Sequence, residues 1–265
     1  MITQITSEYL AHNLYGDSKT RDLVVHLPPG YEDSGKRYPT MYLLHGFNGR
    51  ALGWLVQFRM NVGWRDITEV LDDAMKRGQS REMIVVMPDG WSRLGCSQWI
   101  DSPANGNFAQ YVVKDVVRYV DSQCRTIPRA ESRGITGISS GGFGAWHLGS
   151  RHPDVFGAMS LLSADSYFDF THKPWIYRYY NNLGGQEPRG PLNGEIYSWL
   201  TYGLASCYTP NPTKPPYFVD LPVSYPDGEI IPELWQKWLD FDPIVSYKPR
   251  VRQLKELKGI LLDMG

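Results

Sequence analysis

The sequence predicts an α/β protein with a doubly wound, mostly parallel β-sheet, and three observations carry that expectation. Short apolar, β-branched runs recur along the chain, most of them apolar throughout rather than alternating, as in strands covered on both faces. Amphipathic helical patterns lie between them, which makes the connections parallel crossovers. One strand-to-helix junction, "TGISSGGFGAW" at 136–146, is too small for a core strand and too rich in glycine for a relaxed helix.

The expected strands are "DLVVHL" (22–27), "TMYLLH" (40–45), "MIVVMP" (83–88), "RGITGI" (133–138), "GAMSLLS" (157–163) and "GILLD" (259–263). Residues 64–78 place Ile67, Val70, Leu71 and Ala74 on one helical face and stop at Gly78. Residues 107–124 align Val112, Val113, Val116, Val117 and Val120, leaving Lys114, Asp115 and Arg118 outside. Residues 166–250 break the rhythm with 12 of the 19 prolines and 18 of the 35 aromatic residues. That is too long for a plain loop. It reads as an insertion over the strand ends, either a lid or substrate wall built from Trp175, Tyr177, Tyr179 and Tyr180, or a scaffold covering an apolar edge. The organisation expected is a core over 1–165, the insertion over 166–250 within the same domain, and a return to the core over 251–265.

Composition narrows the function classes. The 265 residues carry a net charge of −1 with scattered basic residues, so no nucleic-acid or membrane surface is expected. No apolar run of about 18 residues predicts a span, and no signal peptide is visible; both favour the cytoplasm, although a mature secreted form would read the same. Cys96, Cys124 and Cys207 are odd in number without a C-x-x-C, so free buried thiols are expected. His147 and His152 are five apart with no carboxylate cluster, and "GISSGGFG" has neither the Walker lysine nor G-x-G-x-x-G spacing. Neither a metal nor a cofactor is expected. Oligomeric state is not legible.

Gly137-Ile138-Ser139-Ser140-Gly141 is the G-x-S-x-G pattern of a nucleophile elbow, with a strand before it and a helix after it. Ser139 would sit on the turn at a strained backbone angle. Gly137 and Gly141 would remove the Cβ atoms that collide with neighbouring backbone. The bland reading is a serine N-cap on a glycine-rich helix start. A nucleophile also needs hydrogen-bond donors for an oxyanion. By position these are the backbone N–H groups of Ser140 and of Phe47, in the loop after "YLLHG". His45 reads as a brace for that loop rather than as a base.

"YLLHGFNG", "DSPANGNFAQYVVKDVVRYVDSQ" and "GITGISSGGFGAWHLGSRHPDVFGAMSLLSA" together resemble the putative-esterase branch of the α/β-hydrolases. That branch includes S-formylglutathione hydrolases, feruloyl and acetyl esterases, and mycolyltransferases. The resemblance implies a serine esterase acting on a small-molecule ester through an acyl-enzyme on Ser139. In the same branch an acyltransferase, or a binding protein that has lost catalysis, would share these motifs. It also implies the chain order serine, acid, histidine, with "GILLDMG" opening a D-x-G-x-x-D pattern whose final Asp is the acid. Asp263 is the first Asp of that pattern and does not inherit the role. The six histidines all precede residue 173, and His172 could reach Ser139 only by folding back. The expectation is therefore an N-terminal portion of a longer esterase, with its acid and histidine beyond Gly265 and low activity on its own.

Overall fold

A computed structural model describes residues 1–56 and 65–264; Trp64, first residue of one expected helix, and Gly265 lie outside the described residues. Seven strands form one sheet: β1 (Ile2–Thr6), β2 (Thr20–His26), β3 (Thr40–Leu44), β4 (Ile84–Pro88), β5 (Arg133–Ile138), β6 (Ala158–Leu162) and β7 (Gly259–Asp263). Their order is β1-β2-β4-β3-β5-β6-β7. β1–β2 and β2–β4 pair antiparallel and every later pair is parallel. The reversal between β3 and β4 puts β3 beside β5, so the loops after both strands open at one edge of the sheet.

Helices cover the central strands as the crossovers require. α1 (Ile67–Lys76) starts at Asp66, whose carboxylate accepts the N–H groups of Thr68 and Glu69. A short α segment, Phe108–Gln110, runs through a π-helical stretch, Tyr111–Val116, into α2 (Val117–Gln123). The valine stripe is buried as expected. Asp115 is not outside. It is buried, accepts the Ser7 hydroxyl at 2.6 Å and pairs with Arg118 at 2.9 Å. The π stretch, with more residues per turn than an α-helix, shifts which positions face inward. α3 (Ser140–Arg151) links β5 to β6.

Of the two terminal strands, β7 forms at 259–263 as expected, whereas β1 is not among the expected strands, because Thr and Gln interleave its isoleucines. β7 pairs with β6, but its side chains stay exposed, Leu261 at 60 % and Leu262 at 64 %, so it is an uncovered edge strand among the described residues.

The aromatic segment folds as α4 (Phe168–Asn182), α5 (Ile196–Tyr208) and α6 (Pro232–Leu239), followed by short helical turns at Pro243–Ser246 and Lys248–Arg250. It has its own core, in which Phe168, Ile176, Tyr179, Tyr202, Tyr208 and Trp238 are buried and Phe143 of α3 joins them. The residues expected as a wall belong here. Tyr179 is fully buried against Tyr202, Trp175 packs on His172, and the Tyr180 hydroxyl donates to the Pro226 carbonyl. Tyr177 alone of the four is exposed. Helical spacing distributes these side chains around α4, so they cannot form one continuous wall.

Asp242, almost fully buried, ties this unit together. Its carboxylate accepts N–H groups from Tyr167 at 2.9 Å, Phe168 at 2.7 Å and Ile244 at 3.2 Å. Asp242→Ala leaves those donors unpaired, at a cost of about 2 kcal/mol. Thermal unfolding should show a melting temperature lower by about 4–8 °C.

Candidate active site at the end of β5

Ser139 stands between β5 and α3 with φ 56° and ψ −123°, a region side-chain residues rarely enter. Its N–H donates to the Leu162 carbonyl at 3.0 Å, and its own carbonyl accepts the Phe143 N–H at 2.9 Å. A Cβ on Gly137 would lie 2.4 Å from the Gly141 carbonyl oxygen. A Cβ on Gly141 would lie 2.2 Å from the Leu44 oxygen. Both positions therefore exclude a side chain. The Ser139 side chain is half-buried.

The loop after β3 runs against this turn, since a Cβ on Gly46 would sit 3.1 Å from the Ile138 oxygen and 3.9 Å from Ser139 Oγ. His45 braces it. Nε2 accepts the Gly90 N–H at 2.9 Å, so the proton belongs on Nδ1, which donates to the Gly46 carbonyl at 2.9 Å. Both ring nitrogens are thus committed away from Ser139. The N–H groups of Phe47 and Ser140 have no hydrogen-bond partner among the described residues. The Phe47 ring packs so closely on Gly95 and on Gly203 of α5 that a Cβ there would come within 2.6 Å and 3.0 Å of it. The inserted segment thereby reaches this loop.

Asp165 is the site residue the sequence reading missed. It follows β6 by three residues and is 9 % exposed. Its Oδ1 lies 3.5 Å from the Ser139 hydroxyl, while Oδ2 accepts the Ser140 hydroxyl and the Gln98 amide, both at 3.2 Å. The available signal was its place just beyond the strand expected to follow the elbow helix.

No histidine hydrogen-bonds Ser139 among the described residues. His172 is fully buried, packed on Phe168 and Trp175 with ring centroids 4.1 Å and 5.0 Å away, and both its nitrogens are unpaired. His147 lies between Phe143 and Phe241. Asp101 and Asn105 lie near the antiparallel pair of Asp101–Ser102 with Gly106–Asn107; Asp101 accepts the Gln110 N–H and Asn105 bonds to Ser206.

A family model described as "Putative esterase" matches residues 18–265. The chain belongs to that family. An esterase of Mycobacterium tuberculosis (strain ATCC 25618 / H37Rv) is 29 % identical over 142 residues, covering 52 % of this chain and 27 % of that protein. An endo-1,4-beta-xylanase/feruloyl esterase of Xylanibacter ruminicola is 26 % identical over 147 residues, covering 54 % and 19 %. The match thus spans about a quarter or less of these relatives' length. Among solved structures, a ferulic acid esterase superposes with a TM-score of 0.57 at 21 % identity, covering 100 % of this chain and 90 % of that one. An S-formylglutathione hydrolase of Staphylococcus aureus gives 0.54 at 15 %, covering 99 % and 77 %. The fold is that of the α/β-hydrolases. No helix among the described residues is long and apolar enough to cross a membrane.

Burial, as the first cause, holds His26, His45, His147, His152 and His172 below their ordinary pKa, His172 at about 4. A base whose folded pKa is depressed lends stability above its unfolded pKa, about 6.5, and loses it as pH falls toward the folded value. For His172 this is on the order of 3 kcal/mol between pH 6.5 and 4. The melting temperature should fall across that window, and His172→Phe should make the fall shallower.

Proposed function

We propose that this chain is a carboxylic-ester hydrolase that works through an acyl-enzyme on Ser139. The observation that carries the reading is a half-buried Ser139 on a positive-φ turn with the Gly46 loop running against it; the N–H groups of Phe47 and Ser140, without a partner among the described residues, support it as oxyanion donors. Ser139 Oγ attacks the acyl carbon, and the carbonyl oxygen, now negative, accepts the two N–H groups. Such donors matter because they bind the charge that develops in the transition state; losing one typically costs 10²–10³ in turnover. Collapse expels the alcohol, and water then attacks the acyl-enzyme by the same steps in reverse.

The hydroxyl proton must go to a base. Among the described residues the acceptor at Ser139 is the Asp165 carboxylate, not an imidazole. The feruloyl-esterase relatives favour an aromatic acyl group as substrate.

Ser139→Ala should bring 4-nitrophenyl acetate hydrolysis down to the uncatalysed background and abolish labelling by a fluorophosphonate probe. Hydrolysis that survives the substitution would overturn the reading. Asp165→Asn, which keeps the shape and removes the acceptor charge, should slow fluorophosphonate labelling about tenfold or more with the fold intact by circular dichroism.

A further inference from the structure

Phe47 has two faces to its role. Its N–H sits in the loop against Ser139, while its ring lines a cavity of about 310 Å³ with Asn48, Arg93, Gly95, Ile196 and Trp199. The volume is at the small end of ligand pockets and accommodates a phenylpropionyl-sized group. Phe47, Ile196 and Trp199 supply apolar walls. Arg93 is the one charged side chain in the lining.

Arg93 is exposed, and its guanidinium has no hydrogen bond, ion pair or ring partner among the described residues. The neighbouring carboxylates do not answer it. Asp17 Oδ2 accepts the Arg93 backbone N–H at 2.9 Å. Glu195 spends its two oxygens on the N–H groups of Tyr197 and Ser198 at the start of α5, at 3.1 Å and 2.6 Å. The loop bearing Arg93 is itself held in place. Asn48 N–H donates to the Gly95 carbonyl at 2.6 Å, and the Trp91 indole donates to Asn48 Oδ1 at 3.2 Å. A second cation, Arg50, stacks over Trp91 at 3.9 Å.

We propose that this cavity receives one arm of the ester, and that Arg93 selects an arm that is apolar along its length and ends in a carboxylate. This deepens the reading of Ser139 and rests on it. Aromatic and aliphatic walls favour the arm by burial, and the guanidinium fork holds the terminal carboxylate through paired N–H donors. An amide of the same shape presents no charge to that fork.

Equilibrium binding tests this without turnover. Calorimetric titration with 3-phenylpropionate and with 3-phenylpropionamide at low salt should show the acid binding about tenfold more tightly. The ratio should fall toward one in Arg93→Met and shrink in 0.5 M NaCl, since an exposed pair is screened. Trp199→Ala should weaken both compounds together. Equal affinity of acid and amide, binding of neither, or an acid preference that persists in Arg93→Met would overturn the inference. Failure of the nucleophile reading shows separately, as ester hydrolysis that survives Ser139→Ala while the acid preference remains.

Discussion

The architecture of the site depends on one close backbone approach, that of α3's first turn to the end of β3. Gly141 lies so near the Leu44 and His45 carbonyls that even a methyl group would collide. Only with that approach can the loop at Gly46 run against the Ser139 turn. A positive φ on a serine costs about 1–3 kcal/mol and persists only where its surroundings over-determine it. Here the Leu162 carbonyl takes the Ser139 N–H, and the Ser139 carbonyl takes the Phe143 N–H. Phe143 is in turn buried in the core of the inserted segment. The insertion thus stabilises the strained turn from outside the sheet.

The loops around that turn are fixed by neutral groups. His45, uncharged because it is buried, bonds at one nitrogen to the Gly46 carbonyl and at the other to the Gly90 N–H, with Trp99 edge-on to its ring at 4.9 Å. A charged imidazole would have no acceptor at Nε2, so the brace works only as the neutral tautomer. The charge at the site is concentrated instead on Asp165. A carboxylate 3.5 Å from the serine hydroxyl opposes its ionisation unless the proton passes to the carboxylate itself.

What the sequence disclosed and what it hid follow from the range of the interactions involved. The tight turn at Ser139 was legible because glycines at fixed spacing around a serine report a local steric need, and His45 as a brace followed from its place at a strand end. The central strands were legible as unbroken apolar runs. Asp115 was not, because it lies at the boundary of the valine stripe, where a π stretch decides the facing. Nor was the fate of Trp175 and Tyr179, since an aromatic helix reads alike whether it lines a cleft or fills a core. Asp165 was hidden for a third reason. Its type and position suit an ordinary turn, and its meaning arises only where β6 lies beside β5.

The least covered strand bears on this same carboxylate. β7 buries little, and a hollow lined by Met41, Ile135, Met159 and Ile260 opens on the sheet beside it. Yet the Asp263 carbonyl accepts the Ser163 N–H at 2.7 Å, and Ser163 itself sits at φ 43°. Two residues later comes Asp165. Its turn is therefore anchored on one side by an edge strand and on the other by Gln98 and Ser140. The position of the carboxylate relative to Ser139 consequently rests on the Ser163–Asp263 hydrogen bond as well as on Gln98 and Ser140, whereas the turn at Ser139 is set by the close approach of α3 to the end of β3.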